Sequence, residues 1–460
     1  MNIAKKVMTL LLALLLPVTV AAEEVYDFVV DGIYYKIVND EAWVTYKTYS
    51  YISHDAYYMN DYTGDVVIPA AVTYGGKTYP VTQIWDHAFY RNASVTSITI
   101  PSSVTYISWD AFYFCTGLTR VTITDLAAWC NMDNQSNPLY YAQHLYLNDT
   151  EVTDLTIPDG ITEIKNFTFA GCTGLKSVTI PNSVTSIGEN AFEDCTELTT
   201  VSIGNSVTII GPVAFDGCTS LTSVTLGNAV TTIGVDAFAG CTALTSINIP
   251  NSVTEIGSRA FDLCTSLTSV TLGNRVSSIG VGAFYGCTSL TAIDIPNSVT
   301  TIGRDAFEGC SSLASVTIGR SVTSIGEYAF SKSPAIETIT CKATTPPSWG
   351  ASSIFTANVY NHTPLHVPKG YERAYMADMG WGQFVTILGD VSDDDTDGDV
   401  NGDGDVNITD ANSVIEIIIN GGNGHDRINE HGQIIGDVNL DGVVNITDLN
   451  LIIHAIITGD

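Results

Sequence analysis

Phenylalanine recurs every 23 residues through the middle of the chain, at Phe169, Phe192, Phe215, Phe238, Phe261, Phe284, Phe307 and Phe330. Phe89 and Phe112 form an earlier pair with the same spacing, and the 57 residues from Phe112 to Phe169 are one period of 23 plus an insertion of 34. A fixed period in this range predicts stacked coils. One coil cannot bury its own apolar face, and neighbours must do it. The register predicts ten such coils.

Each period repeats one grammar. Cys follows Phe by three residues (Cys172, Cys195, Cys218), Leu by six (Leu175, Leu198, Leu221), and Val or Ile by nine (Val178, Val201, Val224). Ile or Leu follows by eleven, then Pro or Gly (Ile180-Pro181, Ile203-Gly204). The last core positions alternate in and out, which predicts a short strand with one buried face. A second short strand near Val184–Ile187 ends at Gly188. The Ala-Phe-x-x-Cys stretch predicts a tight helical or 3-10 corner. The outward strand positions are mostly Ser and Thr, which suit an exposed strand.

The string L-x-x-V-x-I-P followed by V-T-x-I-G-x-x-A-F-x-x-C-T resembles the BspA-like leucine-rich repeats of bacterial surface proteins. The resemblance extends over residues 23–389. It implies a mainly β solenoid on a secreted or surface-exposed protein, often an adhesin for host matrix proteins or other cells. The expected organisation is an N-terminal β cap at 23–66, a solenoid at 67–340 with an insertion at 125–150, and a C-terminal cap at 341–389. The N-terminal region carries a hairpin signal, Asp31-Gly32 between alternating segments, and many tyrosines that cover the end of the core or meet a ligand. The insertion, with Trp129, Tyr140, Tyr141, His144 and Tyr146, is expected to bulge from one face. A short helix is expected at Tyr371–Met379.

Ten cysteines in an exported chain raise the question of disulfides. Eight occupy one corner of successive coils, where the end repeats hold Asn92 and Ser333. A position that accepts Cys, Asn or Ser wants a small polar side chain, and parallel Cβ vectors disfavour bridges. Free, buried thiols are expected. Cys341 falls on a core strand position, and Cys130 sits in the insertion.

The chain opens with Lys5-Lys6, a short apolar run and small residues at Val20 and Ala22, so residues 1–22 read as a secretory signal peptide. No later run is long enough to span a bilayer. With 18 Lys and Arg against 49 Asp and Glu, the formal charge is −31. Nucleic acid and anionic lipid are poor partners for such a chain.

After Gly389 an acidic linker (390–398) leads into two near-copies, DVNGDGDVNITD at 399–410 and DVNLDGVVNITD at 437–448. Their oxygen pattern suits calcium, which wants about six to eight oxygen ligands. Positions 1, 3 and 5 are Asp399, Asn401, Asp403 and Asp437, Asn439, Asp441. Gly404 and Gly442 allow the sharp turn. Asp405 and Val443 offer backbone carbonyls, Asn407 and Asn445 act through water, and Asp410 and Asp448 reach back. Two calcium ions are expected.

Asp at the last position, and a single exiting helix after each loop, resemble the dockerin type I module. The resulting expectation for residues 399–460 is a small all-α calcium-loop domain. The resemblance implies calcium-dependent binding to a cohesin module on a partner, with Ile408, Thr409, Ile446 and Thr447 as the contact positions. No nucleophile elbow, zinc motif or phosphate loop is present. A non-catalytic binding and adhesion protein is therefore expected, its solenoid facing a host protein or a glycan. A non-catalytic component of a polysaccharide-degrading assembly is the alternative, and a hydrolase the least supported reading.

Overall fold

The computed structural model describes residues 23–52, 55–350 and 352–391. The chain divides into two compact units, Met1–Val152 and Thr153–Asp460. The expected calcium module lies outside the described residues.

The second unit shows the repeat at its most regular. Strands such as Ser177–Ile180 and Thr200–Ile203 pair in parallel, each residue opposite the one 23 later (Val178 with Val201, Ile180 with Ile203). The alternation is as the sequence predicts: Val178 and Ile180 are buried, and Thr179 between them is exposed. Two-residue strands from Glu163–Ile164 to Ser348–Trp349 form a second parallel sheet of nine strands on the opposite side of each coil.

Between the sheets run the phenylalanines. Neighbouring rings from Phe169 to Phe330 lie 5.1–5.4 Å apart with planes within 10° of each other. These spacings are what stacked coils about one strand width apart impose.

The corner is a run of tight turns. The Cys195 N–H donates to Phe192 O at 3.4 Å, a 3-10-type bond, while the Phe192 N–H donates across to Ala214 O in the next coil at 2.8 Å. Asn190 and Asp194 take left-handed φ of 55° at the two ends of the corner; Asn and Asp tolerate that region better than most residues. The glycine that ends the second strand is fixed by crowding. A Cβ on Gly257 would lie 2.6 Å from the carbonyl carbon of Gly234.

Beyond Phe330 the period slips by two, and Phe355 continues the stack at 5.2 Å. The end is then closed by one-off contacts. Trp381 and Phe384 pack around Phe355, and the Tyr375 hydroxyl donates to Ala343 O at 2.7 Å and to Cys341 Sγ at 3.1 Å. Cys341 is thus a buried acceptor as well as a small core residue. The expected helix is shorter than its pattern, Glu372–Ala377. The Asp378 carboxylate accepts from the N–H groups of Gly380 and Trp381, which turns the chain out of the helix.

In the first unit the expected hairpin is present, Phe28–Val30 antiparallel to Ile33–Val38. A parallel sheet of rungs runs from Gly64–Val67 through Val95–Ile100 and Arg120–Ile123 to Leu145–Leu147. The insertion does not bulge from the scaffold. It is an elaborated coil: Asp133–Asn134 extends one sheet and Leu145–Leu147 the other. Its helix Leu126–Asn131, capped by the Asp125 carboxylate, buries Trp129 and Cys130. It also closes a ladder. The N–H groups of Phe112 and Phe114 have no ordinary next corner to donate to, and they donate instead to Ser136 Oγ at 3.0 Å and the Tyr141 hydroxyl at 2.8 Å.

The ten coils counted from phenylalanine are therefore too few, and the described residues form about 13. The rung after Tyr62, the insertion coil and the coil of Phe355 lack a phenylalanine in the 23-residue register.

Candidate functional site

All ten cysteines are free and buried, as the repeated position of eight of them predicts. The thiol of Cys115 and those of the corner cysteines from Cys195 to Cys310 donate to the carbonyl of the preceding coil's phenylalanine, Cys195 to Phe169 O and Cys218 to Phe192 O at 3.3 and 3.2 Å. In the last regular repeat Ser333 makes the same bond, Oγ to Phe307 O at 3.2 Å. At the first, Asn92 does the equivalent work, its Nδ2 donating to Tyr62 O at 2.9 Å. Burial pushes the Cys195, Cys241 and Cys287 thiols well above their ordinary range, with neighbouring thiols adding to it. Such thiols are poor nucleophiles and metal ligands, because both roles need the thiolate.

Hydroxyl ladders bind the coils along the outside. The Thr208 hydroxyl donates to Thr185 O at 3.1 Å, the Thr231 hydroxyl to Thr208 O at 3.0 Å, and the pattern recurs at Thr254, Ser277, Thr300 and Thr323. These hydroxyls are engaged in holding coil to coil. The corner of the second unit is acidic. Asp216 is pushed up to about 6, by burial first and then by Glu193, Asp236 and Asp194. Among the described residues no group of three or more His, Cys, Asp or Glu is arranged to hold a metal ion.

The first unit carries a different surface. At the two positions after the stacked phenylalanine it has Tyr90-Arg91 and Tyr113-Phe114, where the second unit has Asp216-Gly217 and Ala239-Gly240. Tyr90 stacks on Tyr113 at 5.7 Å, and Arg91 lies over Tyr90 and Phe114 at 5.3 and 5.8 Å. Tyr58 stacks on His87 at 3.7 Å and meets Tyr90 edge-on. Trp109 is 64% exposed. Residues 58–63 and 90–94 line a cleft of about 660 Å³. Sequence reasoning noticed Tyr58 and Tyr62 among the N-terminal tyrosines and missed Asn60, Asp61, Tyr90 and Arg91, which carry no periodic signal.

The expected calcium ligands Asp399, Asn401, Asp403, Asp405, Asn407, Asp410, Asp437, Asn439, Asp441, Val443, Asn445 and Asp448 lie outside the described residues. So do Ile408, Thr409, Ile446 and Thr447.

Stacked 23-residue coils with this core define a leucine-rich-repeat protein. The model of the BspA type leucine rich repeat region matches in six copies, over residues 82–131, 142–265 and 231–348. That is more than half of the chain, which belongs to this family. A dockerin type I domain follows at residues 397–457. Dockerin type I domains bind calcium in general and typically bind cohesin partners. Both families are typical of extracellular or surface proteins.

Among solved structures, a leucine rich cell surface protein from Faecalibacterium prausnitzii is 30% identical, over 70% of this chain and 94% of that one, with a TM-score of 0.42. A leucine-rich repeat protein from Bacteroides ovatus is 25% identical, over 76% of this chain and 96% of that one, with a TM-score of 0.46. No curated protein matches. Among the described residues no helix is long and apolar enough to cross a membrane.

Proposed function

We propose that this is a secreted, non-catalytic binding protein. Its repeats present a ligand-binding surface, and its C-terminal module docks it, with calcium, to a cohesin-type module on a partner. The observation that carries the reading is the pair of loops at 399–410 and 437–448, which fall within the dockerin match. Their donor set fits calcium: each loop offers carboxylate, amide and carbonyl oxygens at alternating positions around a glycine, and no sulfur or imidazole. Asp399, Asn401, Asp403, Asp405, Asn407 and Asp410 would hold one ion. Asp437, Asn439, Asp441, Val443, Asn445 and Asp448 would hold a second.

Bound calcium supplies folding free energy to a small domain of this kind. Ile408-Thr409 and Ile446-Thr447 are the same pair in both halves, so either half offers the same contact to a partner. The working division is a signal peptide at 1–22, caps at 23–66 and 341–389 around the solenoid at 67–340, a linker at 390–398 and the calcium domain at 399–460. A place in an extracellular polysaccharide-degrading assembly is compatible with this reading, and the dockerin match favours it.

The test is calcium titration of the full chain by calorimetry. We expect uptake of about two ions in the wild type and one in either Asp399→Ala or Asp437→Ala, with docking to a cohesin module abolished by chelator. No calcium uptake would sink the reading.

A further inference from the structure

We propose that the cleft between residues 58–63 and 90–94 of the first unit binds a neutral oligosaccharide. This rests on reading the repeat region as the ligand-binding part of the chain, and it names the site and the ligand class.

A backbone ladder stops at this cleft. In the corners alternate N–H groups point to the following coil: Phe89 N–H to Ala111 O at 2.8 Å, Arg91 N–H to Tyr113 O at 2.7 Å. The carbonyls of Ala88 and Tyr90 therefore point the other way, to where a preceding corner would stand. Tyr62 takes part of that place. Its ring lies 4.7 Å from Phe89, and its carbonyl accepts from Asn92 as the carbonyl of a stacked phenylalanine accepts from Cys. Residues 58–63 do not complete the ladder, however. Among the described residues no donor reaches the carbonyl of Ala88 or Tyr90. At the opposite end Ser136 and Tyr141 close the same ladder with side chains. One end is capped and the other opens on a cleft.

The cleft of about 660 Å³ has the size of a small-ligand site, roughly 300–1,000 Å³. Its chemistry selects the class. Asn60 Oδ1 already accepts from Asn92 Nδ2, and Asp61 Oδ2 from Lys47 and Tyr34. The open Tyr90 carbonyl and Asp61 Oδ1 still ask for hydrogen-bond donors, and Arg91 and Asn60 Nδ2 offer donors in return. Tyr58 and Tyr90 are half-buried, their rings partly covered by His87, Tyr113 and Arg91, and what they leave exposed is aromatic surface for C–H groups. A purely apolar ligand would bury these polar groups without partners, which is costly. A polyanion is disfavoured by the net charge of −31. A neutral polyol with apolar ring faces satisfies both kinds of wall. The tyrosines are already fixed, Tyr58 against His87 and Tyr90 against Tyr113, so little ordering is left to binding. Nor does the coil demand these residues, since coils of the second unit build the same corner from such pairs as Ala170-Gly171, Asp216-Gly217 and Glu308-Gly309.

The experiment uses the full chain with calcium. Cellohexaose, xylohexaose, mannohexaose and chitohexaose are titrated by calorimetry, and an array of random decapeptides is probed in parallel. We expect saturable binding of at least one hexasaccharide, weakened tenfold or more in Asn60→Ala and in Arg91→Asn and unchanged in Trp109→Ala. Asn tolerates the left-handed φ of 54° at position 91, and circular dichroism checks that each variant is folded. Binding of none of the four sugars overturns the proposal, as does binding that survives both cleft variants. Peptides captured through the cleft in place of sugars overturn it too. Calcium-dependent docking to a cohesin module is read on the same samples. Intact docking without sugar binding sinks this proposal alone, and lost docking sinks the reading of the C-terminal module.

Discussion

Phe238→Ala tests the claim that the aromatic stack holds the coils together. Phe238 is fully buried, 5.2 Å from Phe215 and 5.4 Å from Phe261, with planes 3° and 5° apart. Truncation removes the ring from contact with both neighbours and leaves a cavity between two rigid rungs. Phe→Ala changes in well-packed cores cost about 3–5 kcal/mol, transfer and cavity together. Each ring pair contributes roughly 0.5–1.5 kcal/mol beyond area burial. Phe238 belongs to two pairs and its backbone is pinned by the bond from its N–H to Ala260 O, so the site cannot collapse easily and the upper half of that range applies. Val235→Ala, in the same coil but 45% exposed, is the control and should stay within about 0.5 kcal/mol.

The assay is guanidinium unfolding of the full chain in saturating calcium, paired with hydrogen exchange. Because coils interact with nearest neighbours, protection should fall first in the coils of Phe215, Phe238 and Phe261, and persist in those of Phe169 and Phe330. A cost below about 1 kcal/mol, or an even loss of protection across all coils, would refute the reasoning.

Other consequences follow from the same geometry. Gly257→Ala should destabilise by about 1–3 kcal/mol, because its Cβ would meet Gly234 backbone that cannot move without parting two coils; an unchanged melting temperature would contradict this. The ten thiols should resist a disulfide reagent at pH 8 in the folded chain and react once it is unfolded, since burial raises those resolved and all ten are buried. Rapid reaction of several native thiols would argue against the corner ladder. Asp216 has its folded value pushed up to about 6, above the ordinary carboxylate value of about 3.9. Between those values the folded state holds more protons, so this group's contribution to stability falls as pH rises from about 4 to 6. Asp216→Asn should flatten that part of the pH profile of the melting temperature and raise the melting temperature at pH 7; an unaltered profile would count against the cause assigned.

The sequence by itself determined the coil. Contacts that recur at a separation of 23, such as Val178 with Val201 or Phe192 with Phe215, leave the same residue type at the same phase of every period, so core, corner and outward face are legible without coordinates of any kind. The reason is that each coil solves the same packing problem against an identical neighbour. The proposed calcium loops stand out in the sequence for a related reason, since a cation would need its oxygen donors at set positions along one short segment.

Only the tertiary structure decided how the repetition is broken. Asn92 reaching Tyr62, Phe112 finding Ser136 and Tyr375 reaching Ala343 are contacts made once, at separations of 30, 24 and 32. A chain end or an interrupted coil has no identical neighbour, so whichever side chain arrives must satisfy its open backbone groups. Nothing in a periodic pattern says which one that is. The cleft beside Tyr90 arises there, where residues 58–63 replace a coil and leave part of the ladder without a donor.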